Sequence, residues 1–189
     1  MFNLRHQNDT TMLIGRKEEL RELNDAFKSE YSEFVAVYGR RRVGKTFLVR
    51  EAFNYEFTFQ HTGVAKEKIA GQLAAFRTSL IDYGYKDCPE LASWPDAFNS
   101  LKVGIKSSRK KKKVIFIDEI SWMDTPKSNF VSALEHFWNS WCSARKDVLL
   151  IICASATSWI INKVIKDRGG LHNRVNTQIY LMPFTLKEC

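Results

Sequence analysis

Residues 39–46 read GRRRVGKT, and this octet constrains the chain more than any other part of it. It matches the pattern G-x-x-x-x-G-K-[S/T], in which a loop joins a strand to a helix and cradles phosphate groups. An apolar run at 34–38 precedes the octet, and apolar residues with helical spacing follow it at 47–53. The glycines let the backbone point its N–H groups at an anion, and the start of the helix favours negative charge. The octet therefore predicts a site for a nucleoside triphosphate.

Two residues of this loop have predicted chemical roles. We expect the Lys45 ammonium to reach the β- and γ-phosphates and the Thr46 hydroxyl to bind Mg²⁺. A random chain of this length would match the four fixed positions in well under roughly one case in a hundred. We therefore interpret the match as real. The predicted nucleotide contacts are Gly39, Arg40, Arg41, Arg42, Val43, Gly44, Lys45, Thr46 and Phe47.

A second motif lies at residues 114–119, VIFIDE, where an apolar run ends in two carboxylates. A continuous apolar run is typical of a central parallel strand that is covered on both faces. The carboxylates then emerge at the carboxyl end of the strand, where open α/β sheets bind ligands. Asp118 is placed to hold Mg²⁺, and Glu119 suits a general base that activates water.

Length and composition indicate a single soluble globular domain. The chain has 189 residues, of which 44% are hydrophobic and 26% are charged. Its apolar runs are shorter than the about 18 residues of a membrane span, and the first ten residues lack the apolar stretch of a signal peptide. The four cysteines (Cys88, Cys142, Cys153 and Cys189) have neither metal-ligand spacing nor a dense disulfide pattern. A cytoplasmic protein that does not engage a membrane is the simplest interpretation.

The net charge of +8, from 29 basic and 21 acidic residues, leaves two interpretations open. Five basic residues form one run at 109–113, immediately before the acidic motif. This run is either a solvated segment that keeps an apolar strand from pairing wrongly, or a patch for DNA or an acidic protein partner.

Strand and helix signals alternate along the chain, which predicts a parallel sheet with helices on its faces. The fold class is therefore α/β, a three-layer nucleotide-binding fold with a mainly parallel central sheet. Helices are predicted at 16–29, 45–53, 66–82, 91–104 and 128–143, and strands at 34–38, 57–61, 113–118, 148–154 and 178–182.

Three further polar residues have predicted roles in this layout. Ser155 comes directly after the strand at 148–154, where it can touch the γ-phosphate or the attacking water; otherwise it is a small residue in a turn. Thr157 is predicted to cap the next helix. Arg174 lies in the connection before the last strand, where it either projects toward a nucleotide, in its own or a neighbouring subunit, or is an ordinary surface arginine.

Five sequence blocks in this order resemble the archaeal-type ATPase family, bacterial members included, within the AAA+/STAND group of P-loop ATPases. The blocks are IGRKEEL (14–20), VYGRRRVGKT (37–46), FIDEISW (116–122), ICASATSWI (152–160) and residues 171–188. The resemblance implies an ASCE/AAA+-like ATPase domain over residues 1–189. Residues 12–30 would form an N-terminal Gly-Arg segment and helix, and residues 31–182 the nucleotide-binding core.

The resemblance also implies roles for particular residues. Ile14, Gly15 and Arg16 would lie near the adenine, Ser155 would be a sensor residue, and Arg174 would be an arginine finger. This sequence has Ala154 before the serine, where the family often has glycine. In the family a helical lid and a winged-helix region normally follow the core. Residues 183–189 would be the start of such a lid, which implies a fragment or a shortened member in which nucleotide binding survives better than turnover.

Three functions are compatible with these features. The first is an Mg²⁺-ATP-binding ATPase whose slow hydrolysis serves as a regulatory switch, alone or as a homo-oligomer. The second is an ATP-dependent motor or loader that processes DNA, with the basic run as its DNA contact. The third, a small-molecule kinase, is disfavoured because adjacent Asp118 and Glu119 suit water activation.

Overall fold

The computed structural model describes residues 15–166, 171 and 173–183. Within them, parallel strands form one sheet in the order β2-β3-β4-β1-β5. The strands are β1 (Glu33–Gly39), β2 (Phe59–Thr62), β3 (Lys113–Asp118), β4 (Val148–Ala154) and β5 (Thr177–Leu181). The helices are α1 (Lys17–Lys28), α2 (Lys45–Ala52), α3 (Ile69–Asp82), α4 (Trp94–Ser107), α5 (Phe130–Phe137) and α6 (Thr157–Ile160). In this part of the chain no helix is long and apolar enough to span a membrane.

The sheet is the middle of three layers, because successive side chains of a strand point to opposite faces. In β1, Phe34 and Ala36 belong to the buried cluster that contains residues of α3, α4, α5 and α6, whereas Val35 and Val37 belong to the cluster that contains residues of α1 and α2. Both faces of the central strands are therefore covered, and β4 is buried along its whole length. This arrangement confirms the predicted three-layer α/β fold.

The strand order brings the predicted motifs to one edge of the sheet. Because all strands are parallel, their carboxyl ends meet at the same side, which we call the carboxyl edge; the opposite side is the amino edge. Strand β4 lies between β1, which leads into the phosphate loop, and β3, which leads into the acidic motif. Ser155, at the end of β4, therefore lies between the two motifs.

Several predicted boundaries differ from the structure. Strand β2 begins at Phe59, two residues after the predicted start at residue 57. Thr58 precedes it and contacts β3 partly through its side chain, because its Oγ1 accepts a hydrogen bond from Val114 N at 3.2 Å. The predicted helix at 128–143 is α5 followed by a wider π-helical turn, Trp138–Cys142. Similarly, α6 continues as a π-helical turn, Ile161–Ile165.

The prediction that Thr157 caps α6 is wrong. Thr157 is the first residue of the helix, and Ala156 precedes it with no side-chain hydrogen bond. The helix begins there because the backbone carbonyl of Ala156 already accepts from Trp159 N at 3.0 Å and from Ile160 N at 3.3 Å.

Candidate functional site

The two glycines of the phosphate loop (residues 39–46) serve different purposes. Gly44 has φ +88° and ends the loop immediately before α2, so its positive φ is the feature that favours glycine. Gly39 pairs with Leu181 of β5, and a Cβ at Gly39 would collide with the backbone carbonyl of Leu181. The first glycine is therefore required by close packing against β5 as well as by the turn.

Lys45 is buried at the base of the loop and donates three hydrogen bonds. Its Nζ lies 3.0 Å from the carbonyl oxygen of Gly39, 2.8 Å from that of Arg40 and 3.2 Å from Ser155 Oγ. A buried ammonium needs such partners, and these fix it at the centre of the loop. An anion that enters the loop would replace these two backbone carbonyls as the hydrogen-bond acceptors of the Lys45 ammonium.

Thr46 and Asp118 join the two motifs. Thr46 Oγ1 donates to Asp118 Oδ2 at 2.7 Å, and Glu119 N donates to Asp118 Oδ1 at 2.9 Å. Burial raises the pKa of Asp118, and the hydrogen bonds from Thr46 and Glu119 offset part of that effect. A hydroxyl and a carboxylate are hard oxygen donors of the kind that Mg²⁺ takes alongside the phosphate oxygens of a substrate. The residues present therefore fit the predicted metal.

Glu119 is held by Ser155. The Ser155 hydroxyl donates to Glu119 Oε1 at 2.5 Å, and Ser155 N donates to Oε2 at 3.3 Å. The backbone of Glu119 is left-handed, with φ +45°, which is uncommon for a residue with a side chain. Since Ser155 Oγ also accepts from Lys45, one hydroxyl connects the cation of the phosphate loop to the candidate base.

The remaining loop residues form an exposed rim. Arg40, Arg41 and Arg42 are exposed, and the Arg41 guanidinium lies 5.9 Å from the ring centroid of Trp122, in the turn after Glu119. Val43 is half-buried against the α1–α2 layer, while Phe47 is 42% exposed. The rim therefore offers cationic and aromatic surface next to the phosphate loop.

The residues predicted to lie near the adenine are only partly described. Ile14 lies outside the described residues. Gly15 is exposed with φ +89°. Arg16 is buried, pairs with Glu19 at 3.0 Å, and donates to the carbonyl of Met182, just after β5, at 2.6 Å. The N-terminal segment therefore meets the carboxyl edge beside the strand that packs on Gly39.

Arg174 lies away from this cluster. It is exposed and precedes β5, whose first residue, Thr177, pairs with Val35 near the start of β1. Asn176 N donates to the Phe34 carbonyl at 2.9 Å, which fixes this connection at the amino edge. The seven residues of β1 span about 20 Å between that edge and the phosphate loop. The structure thus separates Arg174 from the phosphate loop of its own chain.

Sequence reasoning missed Gln72, Gly63 and Trp122, which support the turn after β3. Gln72 is fully buried in α3 and bonds to the segment after β2 and to Trp122. A glycine two residues after the strand predicted at 57–61 was a usable signal for Gly63. A glutamine in a helical pattern carries no comparable signal.

Comparisons with known proteins identify the family and the fold of this chain. A family model described as an ATPase domain predominantly from Archaea matches residues 13–189. The uncharacterized protein MJECL04 of Methanocaldococcus jannaschii is 26% identical over 179 residues, 94% of this chain and 37% of that protein.

Two solved structures share the fold. The Walker-type ATPase PABY2304 of Pyrococcus abyssi has a TM-score of 0.64 at 16% identity, over 98% of this chain and 58% of that chain. The ORC2 protein of Aeropyrum pernix, in ADPNP–ADP complexes, has a TM-score of 0.66 at 15% identity, over 97% of this chain and 52% of that chain. The chain therefore spans less than two thirds of the length of each of these three proteins. With the family model covering all but its first twelve residues, the chain belongs to the family of ATPase domains found predominantly in Archaea.

Proposed function

We propose that this chain binds Mg²⁺-ATP at the carboxyl edge and hydrolyses it slowly, and that the bound nucleotide acts as a regulatory switch. The observation that carries the proposal is the connected cluster in which Ser155 joins Lys45 to Glu119 and Thr46 joins Asp118. A phosphate-binding cation, a metal-binding pair and a carboxylate base are the groups that nucleotide hydrolysis requires. The family supports ATP as the nucleotide.

Each residue of the cluster has one task in this mechanism. Lys45 binds the phosphate oxygens and stabilises the charge that develops on them. Glu119 accepts the proton of the attacking water, and Ser155 orients the Glu119 carboxylate. Thr46 and Asp118 would hold Mg²⁺, which neutralises phosphate charge when bound.

Two features favour slow turnover and a switch. Ser155 occupies one acceptor site on each oxygen of the Glu119 carboxylate, which leaves fewer sites for the attacking water. Lys45 is likewise engaged by loop carbonyls that phosphate must displace. Phosphate binding therefore requires local rearrangement at the carboxyl edge, and such a rearrangement can be passed to a partner or a second copy of the chain.

The alternative, an ATP-dependent motor or loader on DNA, depends on the basic run at 109–113. Three of its lysines are already bonded: Lys110 Nζ donates to the Phe57 carbonyl at 3.0 Å, Lys112 Nζ to the Ser29 carbonyl at 2.9 Å, and Lys113 pairs with Asp147 at 2.8 Å. Only Arg109 and Lys111 of the run are exposed. These contacts favour a structural role for the run, and therefore favour the switch.

A cytoplasmic location is part of the proposal. Cys88, Cys142 and Cys153 are free and buried, as in a protein of a reducing compartment.

Two substitutions test the function at separate steps. Lys45→Ala should abolish or severely weaken binding of a fluorescent ATP analogue while the circular dichroism spectrum stays unchanged. Glu119→Gln should keep the affinity and lower phosphate release by about 10²–10⁴-fold, because the amide cannot accept the proton. Lys111→Ala removes an exposed lysine at the amino edge and is the matched control, with wild-type binding and turnover.

Two results would contradict the proposal. Wild-type affinity in a folded Lys45→Ala chain would reject the binding site. A wild-type rate in Glu119→Gln would reject the base. Phosphate release in the absence of any phosphate-accepting substrate would distinguish hydrolysis from kinase activity. DNA binding whose affinity falls steeply with salt concentration would favour the DNA alternative.

A further inference from the structure

Gln72 is the most completely buried polar side chain near the site. It is 0% exposed, although it lies in the first turn of α3 among apolar neighbours. A buried amide is costly unless its donors and acceptor are paired. Gln72 is paired: Oε1 accepts from Val64 N at 3.0 Å, and Nε2 donates to the carbonyls of Val64 at 2.6 Å and Trp122 at 3.0 Å. Both N–H donors of the amide are therefore used.

These bonds hold two segments of the carboxyl edge together. Val64 belongs to the segment that leaves β2, and Trp122 to the 3₁₀ turn Ile120–Trp122 that follows Glu119. Within that turn, Trp122 N donates to the Glu119 carbonyl at 3.0 Å. Gln72 is therefore bonded to Trp122, and the backbone of Trp122 is in turn bonded to that of Glu119.

Gly63 packs against the same turn, Ile120–Trp122. Its N–H donates to the Asp118 carbonyl at 3.0 Å. A Cβ at Gly63 would lie 2.7 Å from the Glu119 carbonyl oxygen, 3.1 Å from Met123 Cγ and 3.3 Å from Trp122 Cβ. The segment after β2 thus packs directly on the peptide of Glu119, and Gln72 fixes that segment from the other side.

We infer that Gln72 is a positioning residue for Glu119, an inference that rests on the proposed role of Glu119 as the base. The left-handed backbone of Glu119 aims its carboxylate at Ser155, and such a conformation persists only when its surroundings fix it. Gln72 and Gly63 supply that support from α3 and the end of β2. Neither residue touches the phosphate loop through a hydrogen bond that the structure records, so their effect should fall on hydrolysis and not on nucleotide binding.

Gln72→Met tests this role, because methionine fills a similar volume and makes none of the three hydrogen bonds. We expect kcat to fall about 10- to 100-fold, as when a catalytic group is misplaced by about 1 Å, with the Kd for ATP unchanged. Ser79→Ala is the matched control: it removes the contact between Ser79 Oγ and His61 Nδ1, 2.9 Å long, in the same helix but away from the turn. It should lower the unfolding temperature without lowering kcat.

A double-mutant cycle separates positioning from general damage. If Gln72 acts through Glu119, adding Gln72→Met to Glu119→Gln should lower the residual rate no further. Additive losses would overturn the inference and leave the proposed function intact. No effect of Glu119→Gln on its own, or no turnover in the wild-type chain, would instead overturn the proposed hydrolysis and this role with it.

Gly63→Ala keeps the inference testable if Gln72→Met does not fold. The added methyl group presses on the Glu119 carbonyl from the segment after β2 and leaves the Gln72 amide intact. We expect the same pattern, a lower kcat with unchanged Kd. Wild-type kcat in a folded Gly63→Ala chain would count against positioning of Glu119 by this segment.

Discussion

Thr46 and Asp118, 72 residues apart in the sequence, are joined by a 2.7 Å hydrogen bond from Oγ1 to Oδ2. The bond connects the start of α2 to the end of β3 across the intervening strand β4. It also places Asp118, a residue that is only 4% exposed, at the proposed metal site. A site of this kind favours function at the expense of the stability of the nucleotide-free chain.

The first prediction concerns the charge of Asp118. Because burial raises its pKa, the folded chain takes up this proton at a higher pH than the unfolded chain does. At a pH above the pKa of Asp118 in the folded chain, its charged carboxylate therefore lowers the free energy of unfolding. This loss of stability disappears as the pH falls below the pKa of Asp118 in the unfolded chain. We expect Asp118→Asn to raise the unfolding temperature at pH 8, by an amount that shrinks toward pH 4. Thermal unfolding over this pH range measures the effect.

The same substitution should weaken the Mg²⁺-dependent part of ATP affinity, by about 10- to 100-fold. Titrations with and without EDTA isolate that part. An Asp118→Asn chain that is no more stable at pH 8, and whose ATP affinity still depends on Mg²⁺ as in the wild type, would contradict both expectations.

The second prediction concerns His61, which is buried between β2 and α3. Burial lowers its pKa from 6.5 to about 4, and its Nδ1 lies 2.9 Å from Ser79 Oγ. His61 of the unfolded chain therefore binds a proton below pH 6.5, whereas His61 of the folded chain binds it only below about pH 4. The resulting stability is fully present above pH 6.5 and is lost as the pH falls through this window; it amounts to about 3 kcal/mol.

We expect His61→Asn to flatten the fall in the free energy of unfolding between pH 6.5 and pH 4. Urea denaturation at several pH values measures it. An unchanged slope in His61→Asn would mean that other groups account for acid sensitivity.

The sequence predicted those parts of the site that are encoded by a few consecutive residues. The phosphate loop and the acidic motif each lie within a few consecutive residues, and each follows an apolar strand whose carboxyl end sets its position. Ser155 follows β4 in the same way, so its place at this edge was also predictable. Its contact with Glu119 was not, because that contact depends on β4 lying between β1 and β3.

The supporting residues could not be read from the sequence. Gln72 occupies a helical position that resembles a surface site, and it is buried only because the segments after β2 and β3 fold over the start of α3. The basic run at 109–113 shows the opposite problem. Its charge density suggests a binding patch, whereas two of its lysines bond to carbonyls that only tertiary structure brings near.

The last prediction concerns Arg174 as an arginine finger between subunits. Its place at the amino edge separates it from its own phosphate loop by about the length of β1, so any action on a nucleotide requires a second copy of the chain. We expect turnover per chain to rise with protein concentration, and Arg174→Ala to remove that rise at a cost on the order of 10³ in rate with binding retained. Mixing Arg174→Ala with Lys45→Ala chains should restore partial activity, because each lacks a different half of a shared site. No recovery, in a mixture shown by light scattering to contain oligomers, would reject the finger and leave Arg174 as an exposed arginine at the amino edge.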